Sequence, residues 1–298
     1  MNPDIRSLVP TRDLCDILIS LYFKTFESHY RILHFPTFNK EYIQYWEHPG
    51  ASNNSFALKM LLAMSLGSTY YQGSDATEVR TMAKKWIFAG NQWLAVTPNE
   101  KSRLNISGLQ IHCLVLLARN IHSVVGDLIW ISAGSLLRTA FNMGFHRDPK
   151  HFPRMSALHA ELRRRLWATI VELNVQLSLD SGMNPLISLD DFDTEPPANI
   201  NDVDVDEMTR AQPVSKPNNV YTQMTPQLVL LKSLPLRLRI CRFVNDFRVD
   251  PTYDEVLDLG SQITKACKAS IVSIRAAQSS DPSIKISQLQ VILPRHFT

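Results

Sequence analysis

Through most of this chain the apolar positions recur at three- and four-residue steps, the period of a single helix face. Leu14, Ile17, Leu18, Leu21 and Tyr22 form the first stripe, and Phe56, Met60, Ala63, Met64 and Gly67 the next, over 56–70. Val79, Met82, Ala83, Trp86 and Phe88 mark a helix over 78–93. Ser107 is placed to cap a fourth helix that runs through Leu109, Cys113, Leu116 and Leu117. Asp127 is placed to cap a fifth over 128–143, which Gly144 closes in a left-handed turn. The plainest helix follows Pro153: Ser156 stands as its N-cap, and Leu158, Leu162, Leu166, Ile170, Leu173 and Leu177 make one stripe before Gly182. No run alternates polar with apolar, and no Asn-Gly or Asp-Gly pair offers a hairpin turn. The predicted fold is all-α, with many helices.

The pattern breaks at Pro185. From 185 to 226 the chain is rich in Asp, Pro and Asn, and 186–207 carries eight carboxylates without a Lys or Arg. A connection this long is usually functional or loosely ordered. Helical periodicity returns over 227–247, where Pro235 is expected to kink or divide the helix, and again over 254–278. The last residues, 279–298, read as less than a full element.

Composition narrows the function. Of 298 residues, 31 are Lys or Arg and 28 are Asp or Glu, a formal charge of +3, with no concentrated basic patch for nucleic acid. The ten glycines spell neither phosphate-cradling loop. Cys15, Cys113, Cys241 and Cys267 contain no C-x-x-C pair, so the expectation is four reduced thiols packed as small apolar side chains. Asp13 and Asp16 interrupt the only stretch that resembles a signal peptide, and no apolar run is long enough for a membrane span. A membrane is not an expected partner.

The motifs for catalysis and metals fail one by one. Asp202-x-Asp204-x-Asp206 opens like a calcium loop, but Glu207 and Pro213 stand where Gly and Glu are needed. Asp190, Asp191 and Asp193 suggest the metal motif of all-α terpene cyclases, at the wrong spacing and with Pro196-Pro197 close behind. His146-Arg147-Asp148 matches a kinase triplet without its Asn, Gly-rich loop or D-F-G. His29 with His34 and His112 with His122 miss the i, i+4 spacing of a metal pair. The acidic stretch therefore reads as a solvated loop that caps helix N-termini. Adjacent residues on a helix point about 100° apart, so Arg163, Arg164 and Arg165 form no single patch: one is expected to reach a carboxylate inside the fold and two to face water. The aromatic cluster Tyr22, Phe23, Phe26, Tyr30, Phe35 and Phe38 reads as core.

Five segments, in order, resemble one family. Tyr22-Phe23 with the run His29 to Phe38, including His34, Pro36 and Phe38, is similar to the opening of the fungal-specific transcription factor domain, the middle homology region of the zinc binuclear cluster regulators. The segment Ala140 to Pro149 resembles its A-x-x-x-G-x-H-R-D signature through Gly144, His146, Arg147 and Asp148. Glu161, Arg163, Arg164, Arg165 and Trp167 resemble its E-x-R-R-R-x-W helix, and Gly182 and Pro185 follow at the family's spacing. Asp191, Asp193, Pro197, Asn199 and Asp202 match its D-x-D…P-x-N-x-x-D loop. Asn184 and Ala168 depart from common family residues without touching the fold.

The resemblance implies one regulatory domain over 1–298, with core motifs in 14–202, the acidic loop at 185–226 and C-terminal helices at 227–278. It implies a nuclear protein that modulates transcription, not an enzyme. Its expected partners are other regulators or a homo- or heterodimer partner, with a small-molecule effector as a further expectation. DNA is reached only indirectly. The motif residues are expected to be structural: none is a catalytic, metal-binding or DNA-binding residue. The family's six-cysteine zinc cluster does not occur within these 298 residues, so no cofactor is expected here, and zinc enters only with an upstream cluster in a fuller protein. Two alternatives stay open: a metal-dependent lyase of terpene-cyclase type, and a stand-alone remnant that dimerises.

Overall fold

A computed structural model describes residues 5–48, 53–95, 103–124, 128–152, 154–248 and 252–278. Asp127, Pro153 and the stretch 279–298, on which parts of the sequence reading fall, lie outside the described residues. Those described form α-helices and short 3-10 turns, with no strand among them. The chain divides into two compact units, 1–144 and 145–298.

The first unit holds α1 (Arg12–Lys24), α2 (Glu27–Tyr30), α3 (Phe35–Glu47), α4 (Asn54–Gly67), α5 (Ala76–Ala95), α6 (Ile106–Ile121) and α7 (Ile129–Asn142). Its centre is α4, which packs against α1, α5 and α6. Every residue from Phe56 to Gly67 is buried, so α4 has no polar face. Only a helix apolar all round is at home in such a place. Lys59, the one charge on it, runs out to Glu41 at 3.1 Å. Gly67 lets α1 pass close: a Cβ there would lie 2.0 Å from the Leu18 carbonyl oxygen. The cap of α6 is Asn105, whose side chain accepts from the Gly108 N–H, two residues before the Ser107 expected from sequence. Both residue types cap well, and Leu109 and Cys113 of this helix are buried as expected. Leu128 stands at the N-cap of α7 without a side-chain cap bond.

The second unit is built on α8 (Ala157–Asp180), with α9 (Thr225–Asn245) against it and α10 (Tyr253–Gln278) against α9. Ser156 caps α8 as expected, accepting from the His159 N–H. Gly182, at φ +63°, ends it: its N–H donates to Leu179 and that of Met183 to Ser178, a Schellman closure. Between α8 and α9 the chain makes only two 3-10 turns, Leu189–Asp191 and Asp202–Asp204. α9 runs through Pro235 undivided. In the turn before the proline, Ser233 and Arg237 side chains donate to the Leu230 carbonyl.

Candidate functional site

The motif residues of the first unit build a turn. His34 stands at the N-cap of α3, its Nδ1 2.8 Å from the Thr37 hydroxyl, and Pro36 occupies the first turn, where its missing N–H costs nothing. Phe38 is core, in edge contact with Phe23. Arg31, at φ +43°, closes α2 in the left-handed region, and the buried Glu27 carboxylate accepts from the Leu33 N–H at 3.0 Å. Tyr22 also donates to Glu27, and its hydroxyl pKa is pushed well up by burial and by that carboxylate. Of the aromatic cluster, Tyr22, Phe26, Tyr30 and Phe38 are core as expected; Phe23 is half-buried and meets Tyr22, Phe35 and Phe38 edge to face, and Phe35 is 43% exposed. Gly144 takes φ +70°, the left-handed closure expected after α7.

The motif residues of the second unit converge on α8. Beside its leucine stripe runs a second one, Glu161, Arg165, Thr169 and Glu172, polar and buried. Arg165 is 1% exposed and donates to Asp202 at 2.7 Å. Its carbonyl, with the Thr169 hydroxyl, accepts from the Gln227 amide of α9, both at 3.0 Å. Glu161 takes the Ala198 N–H at 2.7 Å. Burial pushes the Glu161 carboxyl up, against the pull of Arg165 and that N–H. Glu172 and Arg237 of α9 form a forked pair, two bonds of 2.6 Å, in the same buried row.

Arg164 turns the other way and grips Asp148 with two bonds, 3.0 and 2.9 Å. Asp148 also accepts from the N–H groups of Lys150 and Glu195. Burial alone would push its carboxyl up; Arg164 and the two N–H groups outweigh that and hold it at about 2. Arg163 lies over Phe145, 4.1 Å from the ring centre, and near Phe152. The expectation of one inward arginine and two in water is therefore corrected. Two find carboxylates and the third finds aromatic faces, because the turn at 145–152 and the loop at 191–202 bring Asp148, Phe145 and Asp202 against α8.

Seven of the eight carboxylates over 186–207 are exposed, as expected, and Asp202 is buried, yet the loop is tied down at many points. The Asp193 carboxylate takes the Asp148 N–H at 2.8 Å, and the Asp193 N–H donates to the His146 carbonyl at 3.0 Å. Bonding to the Asp148 N–H is the first cause of the lowered Asp193 pKa, with Arg147 and His151 adding to it. Asp191 closes a capping box with Ser188, and Asp204 another with Asn201. The acidic residues thus cap their own 3-10 turns rather than the long helices. Pro197 is buried, Phe192 meets Trp167 edge to face at 5.4 Å, and Pro185 is half-buried just before the Leu186 N–H, which donates to Asn174. Asn199 ties the far end of the loop. Its side-chain amide donates to the carbonyls of Lys216, Pro217 and Val220, and its oxygen accepts from Thr222 at 2.6 Å. Gln223, Thr222, Gln227 and the Glu172–Arg237 pair were not singled out from sequence. The one signal for the pair was the polar stripe beside the leucines; Arg237 lies 65 residues from Glu172 and no local pattern points to it.

The carboxylates of the acidic loop that are described above are committed to N–H groups or cations. Among the described residues no group of three or more His, Cys, Asp or Glu could hold a metal ion. The cysteines are free; Cys15, Cys113 and Cys241 are buried, and burial pushes the Cys15 thiol up to about 12. They do not fit a zinc cluster, which needs gathered thiolates. No helix among the described residues is long and apolar enough to cross a membrane.

Comparison with known proteins places this scaffold. The fungal specific transcription factor domain matches residues 19–238. Transcription factor asR3 of Sarocladium schorii is 46% identical over 260 residues, 86% of this chain and 30% of that protein. Transcription factor lepE of Aspergillus flavus is 38% identical over 287 residues, 95% of this chain and 34% of that protein. The aspyridones cluster regulator apdR of Emericella nidulans is 32% identical over 288 residues, covering 94% and 34%. The chain spans about a third of the length of these curated relatives. No solved structure matches it. The match begins in α1 and ends in α9, and takes in both units with the clamped loop: the chain belongs to the family of the fungal specific transcription factor domain.

Proposed function

We propose that this chain is the regulatory region of a fungal transcription regulator, working in the nucleus through partner or effector binding. The observation that carries the reading is the family match across both units. The geometry supports it: the motif residues are consumed in holding α8, its loop and the α2–α3 turn, so function falls to the surfaces the scaffold presents. Several relatives carry names of cluster regulators, for aspyridones, equisetin and fusarisetin A. By analogy, a regulator of a gene cluster is the role proposed here. DNA is reached through a separate module, and zinc belongs to that module.

Fusion of the chain to an unrelated DNA-binding module, with a reporter behind that module's site, tests the reading. Reporter output should differ several-fold from that of the module alone and change with growth condition. Output equal to the bare module under every condition would overturn it.

A further inference from the structure

Helix α10 uses one face against α9, burying Leu259, Ser270 and Ile274, with Ile274 packed on Val229. Another face is open and apolar. Tyr253, Leu257 and Ile271 are 77%, 53% and 43% exposed, and Val256 and Val272 flank them. Tyr253, Leu257, Gly260, Thr264 and Ile271 fall within about 60° of one another around the helix. Gly260 lies mid-stripe, and a Cβ there would meet nothing within 4 Å. Glycine is a poor helix former, and no neighbour in the described chain requires one here.

The charges on α10 are sorted along its length. Asp254, Glu255 and Asp258 lie at its start; Lys265, Lys268 and Arg275 lie in its second half. Two copies side by side in the same direction would put like charges together. Two copies in opposite directions put acid against base.

We propose that α10 is a self-association surface, pairing antiparallel with α10 of a second copy about a two-fold axis at Thr264. In that register Leu257 faces Ile271, and Val256 and Val272 border the contact on opposite flanks. Lys268 crosses above Gly260 toward Asp258, and Arg275 reaches Asp254. The interface is isologous, so each contact occurs twice. A helix of 26 residues is about 39 Å long. One such pair sits at the small end of specific interfaces, so association is weak and concentration-dependent. The inference rests on α10 alone and is read out as mass, so its failure leaves the transcriptional reading untouched.

The test is sedimentation of the full 298-residue chain over roughly a hundredfold range of concentration. A monomer–dimer equilibrium is expected. Arg275→Asp should weaken it about tenfold, since two exposed pairs turn from attractive to repulsive; Asp254→Arg added to it should restore it. Thr264→Cys in a Cys267→Ser background should cross-link under mild oxidation, whereas Ala269→Cys, on the solvent flank, should not. A chain that stays monomeric throughout, a dimer indifferent to the charge reversals, or equal cross-linking at 264 and 269 would each overturn the proposal.

Discussion

Helices α4 and α8 are each enclosed on nearly every side within their own units, and they are made of opposite materials. α4 is a run of Phe, Leu, Met and Ala whose single charge escapes to Glu41. α8 buries Glu161, Arg165, Thr169, Glu172, Asn174 and Ser178 beside its leucines. An apolar centre gains from any neighbour that excludes water. A charged centre gains only from neighbours in the right place, and loses heavily if one is missing. The first unit is therefore held by shape, and the second by a register of specific partners, most of them on the 185–224 loop and α9.

Removing one partner from α8 should have the largest effect. Arg165→Ala leaves Asp202 buried without its cation and should cost about 4 kcal/mol in chemical denaturation. Arg165→Met with Asp202→Leu should recover most of that loss. If the single change cost as little as a surface substitution, the contrast with α4 would fail. Leu61→Ala in α4 comes next: it opens a cavity and should cost about 3 kcal/mol, with no second-site change of charge able to recover it.

Acid sharpens the contrast further. The Asp148 carboxyl is held at about 2, below its ordinary 3.8, by Arg164 and two N–H groups despite its burial. Its contribution is complete above pH 4 and is lost as pH falls through 2, a loss of about 2 kcal/mol. Asp148→Asn should flatten that part of the stability–pH curve. The smallest effect is that of Arg163→Gln, which removes the guanidinium from Phe145 and should cost about 1 kcal/mol. The Asp148–Arg164 pair stays in place, so the loss of stability as pH falls through 2 should remain.

The same contrast decides what could be read in advance. Helices built on an apolar stripe were visible because their period is local: α1, α4, α5 and α8 begin and end within a few residues of the positions that Leu14, Phe56, Val79 and Leu158 announce. The motif resemblance found the residues of the clamp but not their pairings. Asp148 and Asp202 are 16 and 37 residues from the arginines they meet, in segments without a period. The loop's carboxylates face water, all but Asp202, as their density over 186–207 suggests; burial of Pro197, Asn199 and Asp202 depends on partners far along the chain, which no local rule joins to them. Of the two outcomes expected at Pro235, a kink or a division, the division does not occur, and the local rule for proline could not choose between them.

The loop's ties also set a timetable. Its bonds to Arg165, Glu161 and Asp148 close spans of 37 and 47 residues, and the Gln227 bond to the Arg165 carbonyl closes 62. Contacts so distant along the chain are slow to form and follow the local helices. The loop is then the late piece of folding and the early piece of unfolding. Substitutions at Asn199 or Asp202 should act mainly by hastening unfolding, leaving the folding rate nearly unchanged.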